Sequence, residues 1–408
     1  MQPSTPNLVF KTPDSSITPH ILLWGVQILG LASPPFKGRR TILSILIIGL
    51  GTYCSLHPHF TNNFDLAQPF SLGWSFYTAV LAKILFSGSE GPENHYWRVD
   101  KPAREARAYP GFSWQKMRWT ASLMFNHRGI RWNHQVKNVP AVSATTRSRF
   151  ILGQLSKAAV CVCVADLLYE IHQRTNFTPS NGQVGMVDSK YLTTRHDDWR
   201  WQIPKTLSLA ALPYFALSMQ FALVGSLAVL VGISKPQDWP SPFGSFENLG
   251  TIRSFWSTFW HQQLRHTLTS FTDAFANALG IPRGTNASSY SKLYLAFFLS
   301  GSFHALSQLF MPRSANITAE ECSLGLLLFF LWQACTITVE DFVIWLWRKT
   351  GWGTAYVKSV GYLWVLWSMV VSFPLAGDCV LKLRIGSGSF ASVPFVKQVV
   401  ELLVPIPP

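Results

Sequence analysis

Apolar residues along this chain gather into long blocks, separated by polar stretches that carry most of the proline, glycine and charge. The blocks lie near residues 20–34, 41–56, 71–87, 149–171, 205–233, 290–310, 321–347 and 358–376. An α-helix needs about 17–25 such residues to cross a bilayer, so the first two are short and the others suffice. A less apolar helical stretch fills about 254–280, and a C-terminal segment runs near 390–404. The pattern predicts an all-α, polytopic integral membrane helix bundle of about eight to ten transmembrane helices. No internal repeat or low-complexity linker interrupts it. Residues 20–408 are therefore expected to form a single membrane-embedded domain behind an N-terminal tail, residues 1–19. No basic start and small-residue cleavage site precede the first block, so that block is expected to serve as the insertion signal.

Three blocks hold polar side chains where apolar ones would be cheaper. In Tyr290–Phe310 the positions Ser300, Gly301, His304, Ser307 and Gln308 fall at i, i+1, i+4, i+7 and i+8, one continuous stripe of a helix. Leu299, Phe303, Leu306 and Phe310 fall on the other side, where lipid or apolar neighbours would suit them. An ionisable group in such a helix costs a few kcal/mol. His304 therefore either faces a functional cavity or hydrogen-bonds a neighbouring helix, and the block alone leaves both open. In the stretch Arg253–His266, a continuous helix would set Phe255 and Phe259, Trp256 and Trp260, and His261 and Arg265 one turn apart. That is an aromatic wall beside a histidine and a guanidinium, suited to an apolar substrate, or else an interfacial helix with its indoles among headgroups. In the 321–347 block Gln333, Thr336 and Glu340 stripe one face, with Asp341 beside Glu340. Glu340 could orient a catalytic histidine or cap a helix–helix contact.

Composition narrows the class. The chain has 408 residues, 48% hydrophobic and 13% charged, about half the charge of a soluble domain. Its 17 tryptophans suit a membrane–water interface. The net charge of +14 points, at this hydropathy, to anionic lipid and a phosphate-bearing cofactor rather than nucleic acid, for which no lysine/arginine run exists. The loop from about 88 to 148 is strongly basic, which places it in the cytosol. Six cysteines without CxxC spacing indicate neither a zinc site nor a disulfide framework. The histidines lack ligand spacing, so no metal is implied. A membrane-embedded imidazole is suited to taking a proton from an alcohol, and His261 and Arg265 are available to hold an acyl group or a developing oxyanion.

The run Phe255-Trp256-Ser-Thr-Phe259-Trp260-His261, followed about forty residues later by Phe298-Leu-Ser-Gly301-Ser-Phe-His304, resembles the membrane-bound O-acyltransferase superfamily. The likeness is nearest to its wax-synthase-like branch, which includes fungal O-acetyltransferases of terpenoid and meroterpenoid pathways. Arg128-Gly129-Ile-Arg131-Trp132-Asn133-His-Gln-Val136-Lys137-Asn138-Val-Pro140 is similar to that branch's Arg-Gly…Trp…Val-Lys-Asn-Ile/Val-Pro signature. Trp239-Pro240-Ser-Pro242-Phe243-Gly244 resembles its Trp-Pro-x-x-Phe-Gly turn. The motifs run in order over about 125–345. Two departures stand out: Arg131 replaces a small residue, and His261 replaces the asparagine of sterol and diacylglycerol acyltransferases.

The resemblance implies acyl transfer from acyl-CoA, most simply acetyl-CoA, to a hydroxyl of a lipophilic alcohol at the endoplasmic reticulum membrane. It makes His304 the general base and His261 its catalytic companion. Candidate coenzyme A contacts are Arg128, Arg131, Lys137 and Arg265. Candidate substrate contacts are Phe255, Trp256, Trp260, Ser300, Gln308 and Glu340. The bulk of Phe255, Phe259, Phe298 and Phe303 would narrow a tunnel and so favour a short donor over the long-chain acyl-CoA of a true wax synthase. A transporter with His304 in its pathway is the alternative of another class, but no inverted repeat or pair of broken helices supports it.

Overall fold

The structure is a computed structural model that describes residues 9–88, 90–142, 145–351, 357–387, 391 and 393–408; the first eight residues of the expected tail lie outside it. In chain order the helices are α1 (Thr18–Ala32), α2 (Arg39–Leu56), α3 (Phe64–Ser71), α4 (Gly73–Leu85), α5 (Pro92–His95), α6 (Trp114–Phe125), α7 (Arg147–Asn176) and α8 (Trp199–Leu230). They continue with α9 (Ile252–Ser254), α10 (Arg265–Ala278), α11 (Asn286–Leu309), α12 (Leu324–Thr350), α13 (Val357–Lys382) and α14 (Pro394–Leu403). Isolated bridges join Phe10 to Ser314 and Arg98 to Trp132. Every apolar block is a helix. Five of them, α2, α7, α8, α12 and α13, are long and apolar enough to cross a membrane, and α1 is a shorter apolar helix. Helix α11 has 24 residues, but its polar stripe keeps it out of that set. Helix α10, at 14 residues with Arg265, His266, Thr269 and Asp273 among them, is too short and polar to span.

Side chains set where helices begin. Asn63, Ser113, Thr146, Asp198 and Thr285 each accept from a backbone N–H in the first turn that follows, answering donors a helix leaves unpaired. Backbones approach closely where glycine allows. A Cβ on Gly325 of α12 would lie 2.0 Å from the Leu375 carbonyl oxygen of α13, so any larger residue would separate that pair.

The chain divides into two compact units. One comprises Asn138–His261 and Arg313–Pro408, together with Val9 and Phe10. Here α7 packs along α8 and α12 along α13. Asp166 of α7 accepts from the Ala391 and Val393 amides at 3.1 and 3.2 Å, which docks the segment leading into α14. Outward apolar residues such as Leu227, Val343 and Leu363 suit lipid contact.

The other unit comprises Lys11–Lys137 and Gln262–Pro312. Its core joins Leu31, Leu43, Ile47, Val80, Ile84, Met124 and Phe310. At its edge Arg39 donates to the Gly30 and Leu31 carbonyls at 2.8 and 3.3 Å, closing the end of α1. Its other nitrogen donates to Glu93 at 2.7 Å, and Lys116 donates to the same oxygen at 2.6 Å. One buried carboxylate thus ties α1, α2, α5 and α6 together. Burial alone would raise the Glu93 carboxyl, but the Lys116 hydrogen bond and the charges of Arg39 and Lys116 outweigh it and hold it below the usual value. A depressed carboxyl stabilises the fold above its unfolded pKa, and that contribution is lost as pH falls through the folded one. Glu93→Gln is expected to cost about 3–5 kcal/mol at neutral pH by stranding two buried cations. Thermal unfolding in detergent should show the gap to wild type shrinking below about pH 4. An unshifted melting temperature at neutral pH would show that the triad stabilises nothing.

Candidate active site

His304 sits on α11, and its ring folds back along its own helix. Nδ1 lies 2.7 Å from the Ser300 carbonyl oxygen. A carbonyl can only accept, so Nδ1 carries the proton and Nε2 carries the lone pair. This is the tautomer a general base needs. Small neighbours make room: Ser300, Gly301 and Ser307 are buried beside the ring's helix face, and the Ser307 hydroxyl donates to the His304 carbonyl at 2.7 Å. Gln308 is half-buried on the same stripe. Trp74 of α4 meets the imidazole edge-on at 5.2 Å and stacks flat on Phe303 at 5.0 Å. Sequence reasoning missed Trp74, because one indole in an apolar block reads as a membrane anchor.

The opposite face of α11 does not simply meet lipid. Phe303 lies against Trp74, and Phe310 is buried edge-on to His20 at 5.4 Å. Phe298 is 46% exposed, so it does not narrow an interior passage as the sequence suggested.

The expected coenzyme A contacts have varied surroundings. The signature around Arg128 closes on itself, with Trp132 N–H donating to the Gly129 carbonyl at 2.8 Å and Val136 N–H to the Arg128 carbonyl at 3.0 Å. Gly129 and Arg131 both take left-handed backbone, φ 60° and 59°. Glycine takes that conformation without strain, whereas Arg131 takes it against the preference of a residue with a Cβ. Arg128 is buried, which lowers its guanidinium to about 10. Arg131 donates to Asp100 at 2.8 Å, Lys137 is exposed, and Arg265 donates to Gln262 at 3.1 Å. Among the described residues no three His, Cys, Asp or Glu side chains gather as metal ligands.

The aromatic motif of the other unit corrects one expectation. Residues 254–280 are not one helix. After α9 the chain makes a π-turn over Phe255–Phe259, closed by Trp260 N–H donating to the Phe255 carbonyl at 2.7 Å. It then extends at Trp260, ψ 148°, and becomes helical again only at Arg265. His261 therefore lies in the break, and the one-turn relation to Arg265 does not exist. The five-residue hydrogen bond brings Trp260 over Phe255, stacked at 5.6 Å, while Trp256 meets Trp260 edge-on at 6.1 Å. The aromatic wall survives by this route, with Trp260 5.4 Å and Phe243 6.2 Å from His261.

Tertiary contacts impose the π-turn. Gly244 N–H donates to the Phe259 carbonyl at 2.9 Å, and a Cβ there would lie 2.5 Å from the Thr258 oxygen. The Trp239–Gly244 motif is thus the seat of the aromatic segment. Trp256 Nε1 donates to Gln333 at 3.2 Å, and Gln333 donates to Ser372 at 3.1 Å. Arg253 pairs with Asp341. Glu340, expected among the substrate contacts, is committed to three N–H donors: Ile252 at 2.6 Å, Arg253 at 3.1 Å and the Trp364 indole at 3.0 Å. It caps the short helix that launches the aromatic segment.

Comparison with known proteins fits this arrangement. Residues 239–332, which carry both histidines, match the membrane bound O-acyl transferase family. Residues 146–230, the α7–α8 pair, match the aspirochlorine biosynthesis protein F C-terminal domain. The chain is 42% identical to aspirochlorine biosynthesis protein F of Aspergillus oryzae over 55% of its own length and 88% of that protein. An acetyltransferase of Rhodocybe pseudopiperita (ple2) is 29% identical over 89% of each chain. An acetyltransferase of Emericella nidulans (sirH) is 26% identical over 87% of this chain and 81% of the other. The chain belongs to the membrane-bound O-acyltransferase family. As an acyltransferase of that family, it carries the matched histidines on an intact helix in one case and in a capped break in the other.

Glu340→Ala in this acyltransferase would orphan three N–H donors, each worth about 1–3 kcal/mol when buried. A loss of about 3 kcal/mol or more is expected, with early proteolysis between α9 and α10. Limited proteolysis and melting in detergent check it, and wild-type behaviour in both would show that the cap is dispensable.

Proposed function

We propose that this membrane O-acyltransferase moves an acetyl group from acetyl-CoA to a hydroxyl of a lipophilic secondary metabolite of terpenoid or meroterpenoid type, at the endoplasmic reticulum membrane. The observation that carries the reading is the fixed tautomer of His304, an Nε2 lone pair held within the family-matched segment. The acetyltransferase names of the relatives, two of them aligned over most of both chains, favour the short donor over a long acyl chain.

The step balances without a further reactant. Nε2 of His304 takes the acceptor's hydroxyl proton as that oxygen bonds to the thioester carbon. The tetrahedral adduct then expels the thiolate of coenzyme A, which receives the proton from the imidazolium, and the ester departs. The Ser300 carbonyl keeps Nδ1–H donated throughout and favours the transient cation. His261 is assigned the polar contact to the acyl carbonyl, a role that rests on the motif resemblance. Holding thioester and alcohol together supplies much of the remaining acceleration.

Microsomes bearing the full chain, supplied with labelled acetyl-CoA and a panel of terpenoid alcohols, provide the test. Wild type should form labelled ester. His304→Ala should lower the rate by about 10²–10⁴-fold, the range of a general base, while remaining carbonate-resistant in the membrane. Undiminished ester formation would remove His304 from the chemistry. Transfer from palmitoyl-CoA to hexadecanol with none from acetyl-CoA would replace this reading with a wax synthase, and substrate flux without ester would replace it with a transporter.

A further inference from the structure

A second polar cluster, outside the reading above, lies where the end of α4 meets the start of α10. Lys83 is 1% exposed, and among the described residues it makes no hydrogen bond or ion pair. Its charge reaches two imidazoles, His134 and His266, whose rings meet edge-on at 4.9 Å. Tyr96 and Trp132 pack on His134 at 4.8 and 5.8 Å, and exposed His95 packs on Tyr96 at 4.9 Å. Both nitrogens of His134, Nδ1 of His266 and Nε1 of Trp132 are buried without a partner. Burial, then the nearby Lys83 charge, holds both imidazoles neutral, His266 at about 4 and His134 lower still.

The inventory is lopsided. A lysine offers three donors, an indole one, and each neutral imidazole one donor against one acceptor. The Glu93 charge is shared by Arg39 and Lys116 at its Oε1, and among the described residues no carboxylate charge acts on Lys83. Burial lowers the Lys83 ammonium to about 8, so at neutral pH it keeps a charge with no anion beside it, ringed by unmet N–H groups, which a bound anion would complete. Two of the cations expected to hold phosphate, Arg131 and Arg265, already donate within the protein. Position supports a ligand rather than a structural ion. Helices α10 and α11 form a hairpin joined by the Lys292–Asp273 pair at 2.6 Å, so the His266 end of α10 runs beside the His304 half of α11.

We propose that Lys83, with His134, His266 and the Trp132 indole, binds a phosphate group of the acyl-CoA donor. The proposal rests on the acyl-CoA reading for its ligand, but its test requires no turnover. Lys83 would supply the charge, the indole and imidazole N–H groups would fix the oxygens, and Tyr96 would keep water away.

The test is equilibrium binding of coenzyme A, dephospho-coenzyme A and pantetheine to the full chain in lipid nanodiscs. Lys83→Met should weaken coenzyme A by about 10–100-fold, the worth of one charge-assisted hydrogen bond, and leave pantetheine affinity where it was. Lys83→Arg should recover most of the loss. Should Lys83→Met not elute as a single species, Trp132→Phe, which deletes one donor and keeps an aromatic ring, should weaken coenzyme A several-fold. Coenzyme A affinity unchanged by the substitution, or coenzyme A and pantetheine weakened alike, would overturn the site. So would a loss confined to phosphatidic acid in the nanodisc, which would make the ligand a lipid headgroup. Lys83-dependent binding of coenzyme A by a wild-type chain that forms no ester would uphold the site and remove the acetyl-transfer reading instead.

Discussion

Within a helix every carbonyl already accepts one bond from four residues onward, yet its second lone pair is left to whatever reaches it. In this acyltransferase the imidazole of His304 reaches the carbonyl of Ser300, and the tautomer of the ring depends on that contact. It spends the ring's proton on a group that can never return one. The other nitrogen must then be the basic one. A histidine that instead donated to a water or hydroxyl could exchange tautomers, and the form protonated at Nε2 could not accept a proton there. The contact needs a helix that stays narrow around the ring, which is why serine and glycine stand at 300 and 301.

The same economy recurs where other polar groups are buried. Glu93 neutralises the cation that closes α1. Asp166 receives the amides of the segment before α14. Gln333 joins Trp256 to Ser372, and Glu340 gathers two amides and an indole. Each is a side chain too costly to bury alone, and each fixes a stretch of backbone that helical propensity would leave undetermined. Polarity within these blocks therefore divides into two kinds. One kind is consumed in holding segments in place; the other, around Lys83, keeps donors that no protein group meets.

The blocks, the order of helices and the inward stripe on α11 were legible because a period of 3.6 over twenty residues is a strong signal. The break at Trp260 was not. Periodicity assumes an unbroken helix, whereas the π-turn is set by Gly244, Gln333 and Glu340, whose contacts span between 15 and 88 positions of sequence. The motif spacing singled out His261 but misplaced its neighbours on a helical wheel. Glu340 illustrates the same limit, since only coordinates reveal which of its two possible uses absorbs the carboxylate. Trp74 and Lys83 escaped notice for a different reason. An indole and a lysine near the end of an apolar block match membrane-interface statistics so well that their sequence context carries no hint of burial.

Burial also accounts for how one chain can keep a base and a cationic cluster apart in role. Imidazoles beside a buried ammonium cannot charge without repelling it, so His134 and His266 are poor proton acceptors and good hydrogen-bond donors. The His304 ring meets the Trp74 indole edge and the Ser300 carbonyl of its own helix. How readily each imidazole charges thus follows from what it is packed against, not from the residue type they share.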